Sequence, residues 1–153
     1  MTINTISSQE TIKLGKRFAK VLASGDVVVL EGELGGGKTT FVRGIVSGLC
    51  LRSRAKSPSF TLMRHYAGRA ITLHHIDLYR LNQRSIFDLG IEDYLYAPGA
   101  VTIIEWGEKI ETILPRFIRV SFAYTAETGR RIIFTGKGYK KSKLALLSRK
   151  QRA

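Results

Sequence analysis

The sequence predicts a three-layer α/β fold around a mixed parallel and antiparallel central sheet, and three observations carry that reading. A β-branched apolar run at residues 26–31 leads into a glycine-dense loop and then an amphipathic stretch, the strand–loop–helix order of an α/β core. A second aliphatic run, residues 100–104, has the composition of a strand buried on both faces. Two further pairs of alternating segments, each joined by a short glycine-containing turn, read as hairpins with few helices between them.

Taken in order, Ser7-Ser8-Gln9-Glu10 offers a helix N-cap. Ile12, Leu14, Phe18, Val21 and Leu22 then recur at helical spacing, with Lys13, Lys16, Arg17 and Lys20 outward, until Ser24-Gly25 ends the helix. The strand at 26–31 and the loop Gly32-Glu33-Leu34-Gly35-Gly36-Gly37 precede a helix over residues 38–49 with Phe41, Ile45 and Leu49 on one stripe. Gly44 and Gly48 each weaken that helix by about 1 kcal/mol relative to Ala, and close packing against the sheet is the expected reason. Residues 60–66 and 70–76 form the first predicted hairpin around Ala67-Gly68-Arg69. A short helix at 85–89 follows, and the strand at 100–104 ends at Glu105-Trp106. Residues 118–124 and 130–135 form the second hairpin around Glu127-Thr128-Gly129, and 142–148 reads as a terminal helix.

With 153 residues, the chain has room for one domain, residues 1–153. A hydrophobic share of 44%, a charged share of 24% and a mean hydropathy of −0.03 exclude a disordered or fibrous chain. The longest aliphatic run, Val27-Val28-Val29-Leu30, falls far short of the ~20 residues of a membrane span. Residues 1–10 carry no Lys or Arg and no apolar segment, so no secretory signal is expected. Cys50 is the only cysteine, which leaves no internal disulfide, points to a reducing cytoplasm and reads as a small buried hydrophobe.

Charge is the unusual quantity: 25 Lys and Arg against 12 Asp and Glu give +13. Such a balance favours polyanionic partners, namely nucleic acid, nucleotides or an acidic protein. Nine of the basic residues lie between Arg130 and Ala153, where there is no acid, so a basic tail begins at about residue 137. A solvated tail is one reading of it and a polyanion contact the other.

Gly32-x-x-x-x-Gly37-Lys38-Thr39 matches the phosphate-loop pattern, a match expected by chance on the order of 10⁻⁴ per window. Its context between a buried strand and an amphipathic helix is the one the chemistry requires. Glycines let the backbone N–H groups turn inward as an anion nest, and the helix N-terminus adds partial positive charge. Lys38 is expected at the β- and γ-phosphates and the Thr39 hydroxyl at Mg²⁺. A P-loop NTPase-like fold is therefore expected, with Glu33, Leu34, Gly35, Gly36, Gly37, Lys38, Thr39 and Thr40 as the nucleotide loop.

Such a loop needs an acid for the metal and a group that orients the attacking water. Asp77 and Glu105 both stand at carboxyl ends of predicted strands, where ligands of open α/β sheets gather. Ser57-Pro58-Ser59-Phe60-Thr61 supplies three hydroxyls, as a γ-phosphate switch or simply as a turn into a strand. Strand alternation places His74 and His75 on opposite faces, so a shared metal is not expected.

Four ordered motifs now add up: the loop with Thr40-Phe41, Lys56-Ser57-Pro58-Ser59-Phe60-Thr61-Leu62, His75-Ile76-Asp77-Leu78-Tyr79-Arg80-Leu81, and Ile104-Glu105-Trp106. Together they resemble the TsaE (YjeE) family. The resemblance implies a bacterial cytoplasmic ATPase that uses ATP and Mg²⁺, needed to make threonylcarbamoyladenosine beside the anticodon of tRNAs. It implies action with the TsaB–TsaD complex, whose turnover nucleotide hydrolysis resets or sustains. It also implies that Lys38 and Thr39 hold phosphates and Mg²⁺, that Thr61 belongs to a switch-like segment, that Asp77 is the Walker B-like acid and that Glu105 is a second acid at the metal. Gly129 and Arg130 match a family pair placed near the base. Ser59 stands where Thr is more usual, and the basic C-terminus, which offers a contact for tRNA or an acidic partner, lies outside the family signature.

Two other classes fit parts of the sequence. A small-molecule P-loop kinase would use Arg80 or Arg84 on a lid, but no long lid insertion is present. A basic nucleic-acid-binding module explains the charge and leaves the four motifs without a role.

Overall fold

In the computed structural model, residues 1–51, 58, 61–139 and 143–145 are described. Seven strands form one sheet: β1 (Thr2–Thr5), β2 (Val27–Gly32), β3 (Met63–Ala67), β4 (Thr72–Asp77), β5 (Ala100–Glu105), β6 (Phe117–Tyr124) and β7 (Arg130–Lys137). Their order is β1-β7-β6-β2-β5-β4-β3. β2 lies parallel to both β5 and β6, and β4 parallel to β5, while β3/β4, β6/β7 and β1/β7 are antiparallel. The mixed sheet follows from the connections: short hairpins join the antiparallel pairs β3/β4 and β6/β7, a helical crossover joins parallel β4 and β5, and β1 pairs with β7 from the other end of the chain.

The first layer holds α1 (Ser8–Ala19) and α2 (Lys38–Gly48). Ser7 caps α1, its Oγ accepting the Glu10 N–H at 3.2 Å, and the Glu10 carboxylate accepts the Ile6 N–H at 2.9 Å. Phe18 and Phe41 meet at 5.4 Å between ring centroids, as do Phe18 and Phe134, binding the helix pair to the sheet. The opposite face is covered by α3 (Gln83–Asp88) and short 3-10 turns, which bury Val27, Val29, Ile76, Ile86, Ile104 and Leu114. β2 and β5 are therefore enclosed on both sides, as their unbroken apolar runs require.

Several expectations are corrected. The glycines of α2 pack against α1 and not against the sheet: a Cβ at Gly44 would lie 2.2 Å from the Ile12 carbonyl oxygen. Cys50 is exposed rather than buried, with φ +55°. It occupies the left-handed position just past α2, where its N–H donates to the Ser47 carbonyl at 3.3 Å and the Leu51 N–H to the Val46 carbonyl at 3.2 Å. β1 is an additional strand, held by β7 from the far end of the chain. The predicted strand at 60–66 is observed as Met63–Ala67, with residues 59 and 60 outside the described part.

The terminal helix at 142–148 is described only at 143–145, which are helical, and the Ser57–Ser59 hydroxyls lie outside the described residues. The start of the basic segment is docked rather than solvated. Tyr139 Oη donates to Asp26 Oδ1 at 3.0 Å, Lys143 Nζ donates to the same oxygen at 2.6 Å, and Leu144 packs on the core. Asp26 precedes β2, so this anchor sits at the end of the sheet opposite the glycine loop.

Candidate nucleotide site

The loop from Gly32 to Gly37 leaves the carboxyl end of β2 and enters α2 with Gly37 as N-cap at φ +102°, a left-handed geometry that only glycine adopts freely. No side chain caps α2, and the first helical bond is Phe41 N–H to the Gly37 carbonyl at 2.9 Å. The amides of Lys38, Thr39 and Thr40 thus precede the helical ladder and are available to an anion.

The loop carbonyls are held on one side. Arg130 Nε donates to the Gly36 carbonyl at 3.0 Å and Tyr124 Oη to the Leu34 carbonyl at 3.1 Å. In a trans peptide the N–H points away from the C=O, so these bonds aim the Gly35 and Gly37 amides to the other side. Arg130 stacks on Tyr124, its guanidinium carbon 4.1 Å from the ring centroid, which fixes both groups.

Leu34, Gly35, Gly36, Gly37, Lys38, Thr39, Thr40, Asp77 and Glu105 line one cavity of about 140 Å³, joined by Tyr79 and Trp106. Lys38 Nζ donates to the Gly32 and Glu33 carbonyls at 2.6 and 2.9 Å and lies 4.2 Å from the centroid of the Trp106 ring. Burial lowers the Lys38 pKa from the usual lysine value, opposed by the nearby charges of Glu105, Glu108 and Asp77. Thr39 Oγ1 donates to Glu105 Oε1 at 3.2 Å. Asp77 and Glu105 are register partners on adjacent parallel strands, and Asp77 Oδ1 accepts the Tyr79 N–H at 2.9 Å.

These donors suit a hard cation. Among the described residues no group of three or more His, Cys, Asp or Glu could enclose a metal. One hydroxyl and two carboxylates beside a phosphate loop match Mg²⁺, which keeps waters and takes phosphate oxygens.

The remaining expected residues lie around this cavity. Glu33 contributes its carbonyl, which accepts from Lys38 and from the Gly36 N–H at 3.0 Å. Thr61 is exposed on the turn before β3, its Oγ1 donating to the Pro58 carbonyl at 3.4 Å, and does not line the cavity. Gly129 closes the β6–β7 turn through a bond from the Thr125 N–H to its carbonyl at 3.1 Å. Arg130 reaches the back of the loop, where a second cavity of about 160 Å³ is lined by Gly35, Gly37, Thr40 and Arg130 together with Ser8 and Thr11 of α1.

Sequence reasoning missed Ser8, Thr11 and Tyr124, which no local pattern marks. It also missed Lys109, whose ammonium donates to the carbonyls of Leu78, Tyr79 and Leu81 at 2.7, 2.9 and 2.9 Å and braces the segment bearing Tyr79. His65 and His74 are cross-strand partners with their Nδ1 atoms 2.8 Å apart, while His75 faces the opposite side of β4.

A phosphate loop between β2 and α2, backed by Arg130 and facing two strand-end acids, defines an α/β protein of the P-loop nucleotide-binding class. The family model of the threonylcarbamoyl adenosine biosynthesis protein TsaE matches residues 5–133, and the chain belongs to the TsaE family. The tRNA threonylcarbamoyladenosine biosynthesis protein TsaE of Treponema pallidum is 41% identical over 128 residues, covering 82% of this chain and 93% of that protein. The protein of the same name from Bacillus subtilis is 36% identical, covering 88% of this chain and 84% of its own. Among solved structures, that of Bacillus subtilis YdiB superposes with a TM-score of 0.85 at 30% identity, covering 99% of this chain and 96% of that one. Among the described residues no helix is long and apolar enough to cross a membrane.

Proposed function

We propose that this chain is an ATPase dependent on Mg²⁺ that acts in the cytoplasm with the TsaB–TsaD complex to support threonylcarbamoyladenosine modification of tRNA. The names of its relatives support the pathway, and one observation carries the chemistry: Lys38, Thr39, Asp77 and Glu105 converge on the cavity enclosed by the glycine loop. Glu33 to Thr40 form the phosphate cradle, with Lys38 exchanging the carbonyls of Gly32 and Glu33 for phosphate oxygens. Thr39, Asp77 and Glu105 hold Mg²⁺, which when bound neutralises charge on the transferring phosphoryl group. Asp77 or Glu105 orients the attacking water, and catalysis is positioning plus electrostatic stabilisation.

Gly129 and Arg130 bound the base side of the nucleotide, where the cavity beside Ser8 and Thr11 gives it room. Thr61 belongs to the segment that senses the γ-phosphate. Residues 1–153 act as one domain, and the basic stretch from about residue 137 meets tRNA.

The deciding experiment is ATP hydrolysis measured with and without TsaB–TsaD and tRNA. The expected result is a low rate alone, a higher rate with partners, release of inorganic phosphate rather than transfer to a small acceptor, and no turnover in Lys38→Ala. A high rate independent of partners, or near-wild-type turnover in Lys38→Ala, overturns the proposal.

A further inference from the structure

His75 is a buried titratable group beside the site that this chemistry does not use. It lies on β4 two residues before Asp77 and is fully buried. Its Nε2 is 2.8 Å from Glu105 Oε1, the same oxygen that accepts the Thr39 hydroxyl at 3.2 Å. Its Nδ1 is buried without a hydrogen-bond partner among the described residues. Facing a carboxylate, Nε2 is the donor, so a neutral ring leaves Nδ1 as a bare acceptor.

A ring with one nitrogen left without a partner is a poor choice for packing alone, because a buried unsatisfied polar atom is destabilising and an apolar side chain of similar size would avoid that cost. The bond to Glu105 is what the histidine adds. That bond crosses between parallel neighbours, since His75 pairs with Ile103 and Asp77 with Glu105 in the register. It therefore ties the Glu105 carboxylate to the strand that carries Asp77. A metal-site acid held by an outer partner keeps one orientation and loses less freedom when it takes its cation.

We infer that His75 is a positioning residue that holds Glu105 beside Thr39 in the arrangement required for the metal-bound nucleotide. This inference rests on Glu105 acting at the metal, as proposed above. His75 touches neither nucleotide nor metal and acts through Glu105.

The test is binding of a fluorescent non-hydrolysable ATP analogue to the full chain, measured in EDTA and in Mg²⁺, with kcat and KM measured in parallel. His75→Leu is expected to bind the analogue in EDTA like the parent chain and to lose about tenfold of the strengthening that Mg²⁺ gives, with the loss also seen in kcat. His75→Gln, which restores an N–H donor, is expected to recover most of that strengthening. In a Glu105→Gln background His75→Leu should add almost nothing, because residues acting as a unit are non-additive. His75→Asn, polar but too short to reach Glu105, serves the same purpose as His75→Leu where the latter does not fold. Full Mg²⁺ strengthening in a folded His75→Leu or His75→Asn, or additive losses with Glu105→Gln, overturns the inference. If Lys38→Ala loses analogue binding while the His75 variants keep the Mg²⁺ effect, only this inference fails. If Lys38→Ala binds like the parent chain, the nucleotide-site reading itself fails.

Discussion

Arg130 and Gly36, 94 residues apart in sequence, are joined by a 3.0 Å hydrogen bond from the guanidinium Nε to the loop carbonyl. With Tyr124 on the Leu34 carbonyl, this contact acts from behind the loop and sets the direction of amides that face the cavity. Geometry of this kind stabilises a conformation before any ligand arrives, so its loss appears in affinity.

Arg130→Ala should therefore weaken nucleotide binding by about 1.5–3 kcal/mol, the range for hydrogen bonds to a charged group, and Tyr124→Phe by about 1 kcal/mol. Arg130→Lys should not restore it, because an ammonium cannot reproduce the planar fork. Titration with a fluorescent nucleotide analogue reads all three. Parent-like affinity in Arg130→Ala would show that the loop holds its shape unaided.

At Gly44, propensity and packing oppose each other. Alanine would favour the helix by about 1 kcal/mol, yet its Cβ would meet the Ile12 carbonyl at 2.2 Å and the Gly15 Cα at 2.9 Å. The clash is with backbone, which cannot rotate aside, so packing wins. Gly44→Ala should destabilise the protein by about 1–3 kcal/mol net, read as a lower melting temperature by circular dichroism. A higher melting temperature would mean that α1 and α2 separate easily.

Both contacts mark where sequence reading stops. β2 and β5 follow from unbroken apolar runs, the glycine loop from its motif and α2 from its helical period, because each is a local signal whose partners need not be known. β1 escapes such reading: its four residues are too few to show a period, and it exists because β7 pairs with it. Asp77 and Glu105 are legible as strand ends, whereas the bond between His75 and Glu105 depends on the register of parallel strands. Cys50 is misread for a related reason. Composition argues for burial, but the left-handed end of α2 turns it outward.

The docked start of the basic segment makes an alkaline prediction. The Tyr139 phenol is raised above its ordinary value of 10.0, by burial first and by the Asp26 carboxylate second. The unfolded chain releases this proton near that ordinary value, while the folded chain retains it to higher pH. Its contribution to stability is thus complete below the unfolded value and is lost as pH rises through the folded one. Urea unfolding compared at about pH 9 and about pH 11 should show a steeper loss in the parent chain than in Tyr139→Phe. Equal slopes would place the Tyr139 phenol in contact with solvent.

Lys109 carries the last prediction. Its ammonium satisfies three carbonyls of the segment that follows Asp77, and that segment places the Tyr79 ring 5.0 Å from the Trp106 ring. Methionine would keep the length of the side chain and remove its donors, leaving those carbonyls to water. The expected cost is about 1–2 kcal/mol of local stability, since the site is only half-buried and water replaces part of what is lost. Because Tyr79 and Trp106 line the cavity, the segment should loosen there, raising KM for the nucleotide more than it lowers kcat. Trp106 is the only tryptophan, so its emission reports the change directly: in Lys109→Met it should shift to the red before nucleotide is added. An unshifted spectrum together with an unchanged KM would show that β4 and α3 hold the segment without the lysine, and that its three bonds follow from the fold rather than support the site.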